Sequence, residues 1–404
     1  MQRIKKIFIF MLLLSFMITG SVWAKGEDIN IAALVSLTGS GAFYGKAMRD
    51  IAKGIVEEIN KQGIKGFGKM NITFYDDATD AAVAASQIQR AVTQGSHFIW
   101  GGFASAVETM MVKKGEELKI PVYLTNEHTY DAIPCNTKYT LTPVVGTVEI
   151  AKVCADYFKK KNVKTYAIIG ADYIYGRSWD KALTLFLKGT GIKKVYENWH
   201  DFSKVDYSAD IAKLKQLKPD AVVRSFGGAG EYVIIKQMKN SGYWPSIFIA
   251  NCTISGYQVP LDELGERYMV GVTAETCQDP SNPKWIEFAR THKEKYGYWP
   301  TWLSQGVHDT LWHIKKVVET AQSLNPEKLA KTMHEVSYDG VGGFPFGPFQ
   351  DSGYVKNATI YLVEYKKGSP SWTNKIGVHR EVVDKLDLRP MCKEEIEALL
   401  KQAQ

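Results

Sequence analysis

Residues 29–62 read INIAALVSLTGSGAFYGKAMRDIAKGIVEEINKQ, and this stretch decides the fold. Ile29 to Leu37 is apolar and β-branched, as a strand buried on both faces requires. Gly39 and Gly41 bound it. From Ala47 to Ile59 the side chains of Met48, Ile51, Ile55, Val56 and Ile59 fall on one helical face, because a 3.6-residue period aligns positions three and four apart. Strand, glycine turn and amphipathic helix together open an α/β fold: a parallel sheet flanked by helices.

The same rhythm continues outward. Strands are expected at 71–75, 97–100 and 122–124, with helices at 81–92 and 106–118 between them. It restarts after Pro143, with helices at 148–159, 178–187, 211–217 and 232–240 and strands at 165–169, 194–199, 221–226 and 247–250. Two longer helices (285–296 and 307–321) and a short strand pair around 359–364 follow. The charged chain beyond is poorly patterned until Glu394–Leu400. Strands alternating with helices of this length imply two parallel-sheet units with a cleft at their carboxyl ends.

Upstream, Arg3, Lys5 and Lys6 precede the apolar run Ile7–Ile18, and Val22-Trp23-Ala24 supplies a small-residue cleavage site. Residues 1–24 are therefore expected to be an export signal that is removed. The run is shorter than the roughly 20 residues that span a bilayer. No later stretch is apolar enough to do so, and the mature protein is expected to be soluble and periplasmic. The formal charge of +7 shrinks once the leader's three cations leave. With no Lys/Arg tract, it gives no support for nucleic-acid binding. Export permits disulfides among the five cysteines. Cys252 and Cys277, near the ends of successive expected strands, are the favoured pair. Neither Cys-x-x-Cys nor His-x-x-x-His occurs, so no metal site is expected.

Three turns carry candidate chemistry. Gly39-Ser40-Gly41-Ala42-Phe43-Tyr44-Gly45 departs from the dinucleotide fingerprint, and export in an unfolded state weighs against a cofactor; none is expected. The loop is either a plain turn or a ligand-facing one carrying Tyr44. Tyr75-Asp76-Asp77-Ala78-Thr79-Asp80 lacks the alternating oxygens of a calcium loop and reads as a cap for the next helix. Gly101-Gly102-Phe103-Ala104-Ser105 opens a helix; Ser105 caps it, and the amides beside it suit a carboxylate. Gly-x-Ser-x-Gly is absent and no nucleophile–base set stands at telling spacing, so no enzymatic activity is expected.

These turns, with Tyr175-Gly176 and Pro219-Asp220-Ala221-Val222 followed by Gly242, resemble the leucine/isoleucine/valine-type periplasmic binding proteins of ABC importers. The resemblance runs from about Ile29 to Glu364. It implies a type I fold of two α/β lobes joined by three hinge crossings, with lobe one at 25–143 plus 276–354 and lobe two at 144–275 plus 355–404. It further implies a monomer that captures a small solute and delivers it to a membrane permease, or presents it to a signalling receptor. Carried over by position, Ala104 and Ser105 bind the ligand carboxylate, Asn126 and His128 touch its polar groups, and Tyr44 and Tyr175 line the cleft beside Phe103. Cys252 replaces the acid that pairs with an α-ammonium, and Gly227, next to Phe226, replaces a stacking aromatic. A buried ammonium without a counter-charge is costly. A small organic acid, amide or aromatic compound is therefore expected rather than a leucine-like ligand. Trp299 and Trp302 belong either to the cleft rim or to the core.

Overall fold

The computed structural model describes residues 26–126, 129, 132–201, 203–225, 230–251, 254, 259–301, 303–342, 346–368 and 378–402. The expected export signal lies outside them. β1 (Ile29–Val35), α1 (Ala42–Gln62), β2 (Met70–Asp76), α2 (Ala81–Thr93), β3 (Phe98–Gly101), α3 (Ser105–Leu118), β4 (Val122–Leu124) and β5 (Thr140–Leu141) form the first unit. Its sheet has the order β2-β1-β3-β4-β5 and is parallel throughout. Met48, Ile51, Ile55, Val56 and Ile59 of α1 are buried, as their spacing requires.

The second unit comprises α4 (Thr147–Lys160), β6 (Thr165–Ala171), α5 (Ile174–Leu187), β7 (Lys193–His200), α6 (Ser208–Leu217), β8 (Ala221–Arg224), α7 (Gly230–Asn240), β9 (Ile247–Ala250), the short α8 (Val259–Leu264) and α9 (Glu266–Met269), and β10 (Val272–Thr276). Then come α10 (Pro283–Tyr296), α11 (Ser304–Ala321), α12 (Pro326–Glu335), β11 (Ala358–Lys367), β12 (Val378–Leu388) and α13 (Lys393–Gln402). The second sheet has the order β12-β11-β10-β9-β8-β6-β7. β11 runs antiparallel to both β10 and β12.

After β10 the chain returns to the first sheet. Trp100 Nε1 donates to Thr310 Oγ1 of α11 at 2.7 Å. The Tyr123 hydroxyl donates to His313 Nδ1 at 2.8 Å, because His313 Nε2–H is given to the Val336 carbonyl. Burial drives the His313 pKa down to about 3, so the imidazole stays neutral. Gly306 lets α11 approach: a Cβ there would stand 2.2 Å from the Thr125 carbonyl oxygen. The chain thus crosses between the sheets after β5, after β10 and before β11. The first and last crossings touch where Thr142 N–H donates to Gly353 O at 3.0 Å.

Two expectations about the chain's end change. The poorly patterned stretch contains β12, an edge strand whose outward positions carry charge. Charged edge strands resist pairing with other chains, and their weak apolar alternation hides them in a sequence. A disulfide joins Cys135 to Cys392 across a separation of 257 residues. The connection is reinforced by Cys135 N–H to Glu394 Oε2 at 2.7 Å and Lys393 N–H to Ile133 O at 2.9 Å. Cys252, the favoured partner of Cys277, lies outside the described residues.

Candidate functional site

In each sheet the strand order reverses once, between β1 and β3 and between β6 and β8. Loops leaving adjacent strands in opposite directions open a crevice at their carboxyl ends. The loops there are Ser36–Gly41, Gly102–Ala104, Asp172–Tyr173 and the chain from Ser225.

The first loop is pinned by the end of β2. Asp76 accepts from Leu37 N–H at 2.9 Å, Thr38 N–H at 3.2 Å and the Thr38 hydroxyl at 2.7 Å. Burial works to raise the Asp76 pKa, but the hydrogen bonds from Thr38, Ala78 and Leu37 outweigh it and hold the pKa below the usual range. Gly39 has φ +77°, and a Cβ there would meet Ala78 O at 2.2 Å; one on Gly45 would meet Ser36 O at 2.1 Å. Close backbone approach accounts for these glycines without any phosphate. Helix α1 starts earlier than its apolar spacing suggests, so Tyr44 stands in its first turn rather than in a loop. Its ring stacks on Phe103, centroids 4.6 Å apart and planes at 18°.

The second loop turns through Gly101 and Gly102, with φ of +124° and +88°, conformations that favour glycine. Thr125 Oγ1 spans both carbonyls at 3.1 and 3.2 Å. The residue capping α3 is Ala104, which offers no side-chain hydrogen bond. Ser105 is the first helical residue and not the cap expected of it. The first intrahelical bond runs from Glu108 N–H to Ala104 O at 3.0 Å. The amides of Ser105, Ala106 and Val107 precede it and have no acceptor within the helix. Ser105 is 2% exposed. Beside it, Asn126 Nδ2 donates to Phe103 O at 2.7 Å. Its buried Oδ1 has no hydrogen-bond partner among the described residues.

On the facing wall, α5 begins four residues ahead of its expected start, which puts Tyr175 in its first turn, 5% exposed. Ser225 Oγ is buried close to Gly170 and Gly176 and has no partner among the described residues. The pKa of Tyr173 is pushed up to about 12, first by burial and then by the charge of Glu108 on α3. α3 and α5 pack together here, so the two walls meet. Tyr232 of α7 is raised by burial, then by Tyr365 and by Tyr44 across the crevice. Arg224 is engaged behind the wall: Nε donates to Glu231 Oε2 at 3.1 Å and Nη2 to the Tyr207 hydroxyl at 2.8 Å. Burial raises Glu231 to about 7 against the opposing charge of Arg224.

Of the residues expected at the site, Tyr44, Phe103, Ala104, Ser105 and Asn126 share the first wall, and Tyr175 stands on the second. His128, Phe226, Gly227 and Cys252 lie outside the described residues, as does Trp302. Trp299 packs on Trp285, Ala289 and Val341, which form a small separate cluster. Glu108, Tyr173 and Tyr232 were not expected. A Ser-x-x-Glu pattern at 105–108 is visible in the sequence, but it reads as a capping box. Among the described residues, the grouping with metal-ligand spacing is Cys135, Cys392 and Glu394, and both sulfurs are committed to the disulfide. No helix of the described residues is long and apolar enough to cross a membrane.

The sequence matches the family model "Periplasmic binding protein" over residues 28–370. It is 26% identical to Leu/Ile/Val-binding protein homolog 1 of Brucella abortus, covering 78% of this chain and 84% of that one. It is 24% identical to the leucine-, isoleucine-, valine-, threonine- and alanine-binding protein of Pseudomonas aeruginosa, covering 91% and 96%. Among solved structures, the Streptococcus pneumoniae branched-chain amino acid transporter substrate-binding protein in complex with isoleucine superposes with a TM-score of 0.76 at 18% identity, covering 90% and 100%. A Rhodopseudomonas palustris ABC-transporter solute-binding protein in complex with 3,4-dihydroxybenzoic acid gives 0.77 at 17%, covering 90% and 98%. The two-lobed chain described here belongs to the periplasmic binding protein family of ABC transporters.

Proposed function

We propose that this protein is exported to the periplasm, captures one small solute bearing a carboxyl or carboxamide group, and delivers it as a monomer to an ABC permease in the inner membrane. The lobes are residues 25–143 plus 276–354 and 144–275 plus 355–404. The observation that carries this reading is the start of α3: buried, turned out by two glycines and left without a side-chain cap. Buried amides need acceptors, and a helix start favours a negatively polarised oxygen. The solute's carbonyl or carboxylate oxygen meets Ser105 and the adjacent amides. Tyr44 and Phe103 bound it on the same side, with Asn126 and His128 at its polar edge. Closure then brings Tyr175, with the chain around Phe226, Gly227 and Cys252, over the other side. Contacts made only in the closed form favour closure.

Aromatic walls and the exchange of an acid for Cys252 support small acids, amides and aromatic compounds over leucine-like ligands. Benzoate-type ligands occupy some structural relatives and isoleucine another, so the fold accommodates both kinds.

A thermal-shift screen of the mature protein tests the proposal. A ligand at 100 times its Kd stabilises by about 2.7 kcal/mol. The panel holds aliphatic amino acids, short organic acids, amides and aromatic carboxylates. The hit should weaken in Ser105→Ala and in Tyr175→Ala while both variants remain folded. Equal affinity in both would place the ligand elsewhere.

A further inference from the structure

The chain between β12 and α13, with the first turn of α13, grips the crossings between the two sheets. Arg389 Nη1 donates to Gln350 Oε1 at 2.6 Å, and Gln350 Nε2 donates to Pro390 O at 3.0 Å. Gln350 stands on the last crossing, ahead of β11. Met391 N–H reaches Glu149 Oε1, in the first turn of α4 just after the first crossing. Cys392 is bonded to Cys135, which lies between β4 and β5 of the first sheet. The other end of this grip belongs to the second unit. β12 is the edge of the second sheet, and Leu400 of α13 shares a surface pocket with Tyr166 of β6 and Leu187 of α5.

A hinge works by φ/ψ changes at a few residues of its crossings. Relative motion of two units joined in this way is the default unless something else holds them. Thr142 N–H to Gly353 O ties the first crossing to the last, and residues 389–394 hold the chain beside both. Hydrogen bonds can be exchanged for bonds to water as the units part. The Cys135–Cys392 bond cannot, so it keeps one point of the first unit against one point of the second through the whole motion.

We propose that residues 389–394 form a strap across the hinge, closed covalently by Cys135–Cys392, that limits how far the lobes open and thereby tightens the hold on the solute. This rests on the hinge-closure reading above and adds its regulation. A narrower open ensemble leaves a larger share of molecules near the closed form, and apparent affinity follows that share. Without the covalent closure the ligand-free protein opens wider, and solute binding weakens because closure must begin from a broader ensemble.

Small-angle X-ray scattering of the ligand-free mature protein tests this, before and after reduction by a phosphine and in the variant Cys135→Ser/Cys392→Ser. The radius of gyration should increase on reduction and in the variant. Amide hydrogen exchange should quicken at Thr142, on the crossing, and stay unchanged in β1 and β8. Isoleucine and benzoate are then titrated calorimetrically. For whichever binds the oxidised wild type, Kd should rise by about 5-fold or more on reduction, the lower end of typical coupling between distant parts of a protein. An unchanged radius with unchanged exchange at Thr142 overturns the inference, and so does an equal Kd in the reduced protein. Faster exchange throughout both sheets, or unfolding on reduction, overturns it too, because the bond then serves overall stability. The hinge-closure reading is judged separately in the oxidised wild type: a ligand that binds without reducing the radius of gyration sinks that reading, whatever reduction does.

Discussion

Two helices follow β2 and β3, the strands on either side of β1 in the first sheet, and begin in opposite ways. α2 is capped by exposed Asp80, whose carboxylate accepts from Ala82 N–H at 2.8 Å and Val83 N–H at 2.9 Å. α3 is capped by Ala104, whose side chain can neither donate nor accept, and Ser105 at its start is buried. Replacing a good N-cap by alanine typically costs about 1 kcal/mol. The better cap therefore stands at the start of α2, where a side chain of the protein itself satisfies the amides. The poorer one stands at the strand-order reversal, where a ligand oxygen can take the cap's place. A third start, that of α4, is intermediate: Gly146 N–H donates to Glu149 Oε2 at 3.1 Å, and the same fully buried carboxyl accepts Met391 N–H at 2.8 Å.

The largest expected effect sharpens this contrast at α4. Burial raises the Glu149 pKa from the ordinary 4.5 to about 7. The folded state then keeps a proton that the unfolded chain has already lost. Stability should fall as pH rises from about 4.5 to about 7, by up to about 3 kcal/mol, and level off above. Chemical denaturation across that window should show the slope in the wild type and a flatter profile in Glu149→Gln. A profile of equal slope in the variant would assign the pH dependence to other groups.

The comparison breaks most directly at Ala104. Ala104→Ser gives α3 a cap of its own, so the amides no longer wait for a ligand. Affinity for the solute found by thermal shift should drop by about 10- to 100-fold, while the melting temperature without ligand holds or rises. Retained affinity would mean that the solute's oxygen does not sit at this helix start. The smallest effect is the mirror image. Asp80→Ala should remove about 1 kcal/mol of stability and leave binding untouched; altered binding would show that the α2 start shapes the cleft after all.

The chain's architecture was legible because both of its signals are local. β-branched apolar runs such as Ile29–Val35 and the helical spacing of Met48, Ile51, Ile55 and Ile59 name their elements without reference to anything distant. Strand β12 was illegible for the opposite reason: an edge strand half in solvent needs no apolar alternation, and its partner β11 supplies the register. The start of α5 escaped for a related reason. Tyr173 and Tyr175 flank exposed Ile174, so the apolar spacing begins only further along the helix.

The sequence by itself determined that this is an α/β protein of two sheets. It also pointed to the turns at Tyr44 and Ser105, because short-range periodicity and glycine placement are written into consecutive residues, while Tyr175 was named by the family resemblance. Only the tertiary structure decided that Cys135 meets Cys392, and that α11 closes over the first sheet through Thr310 and His313. It alone decided, too, that Ala104 rather than Ser105 caps α3, which leaves Ser105 as the buried first residue of that helix. Those outcomes depend on which distant surfaces fit together and on a one-residue shift at a helix start, and neither leaves a periodic trace along the chain.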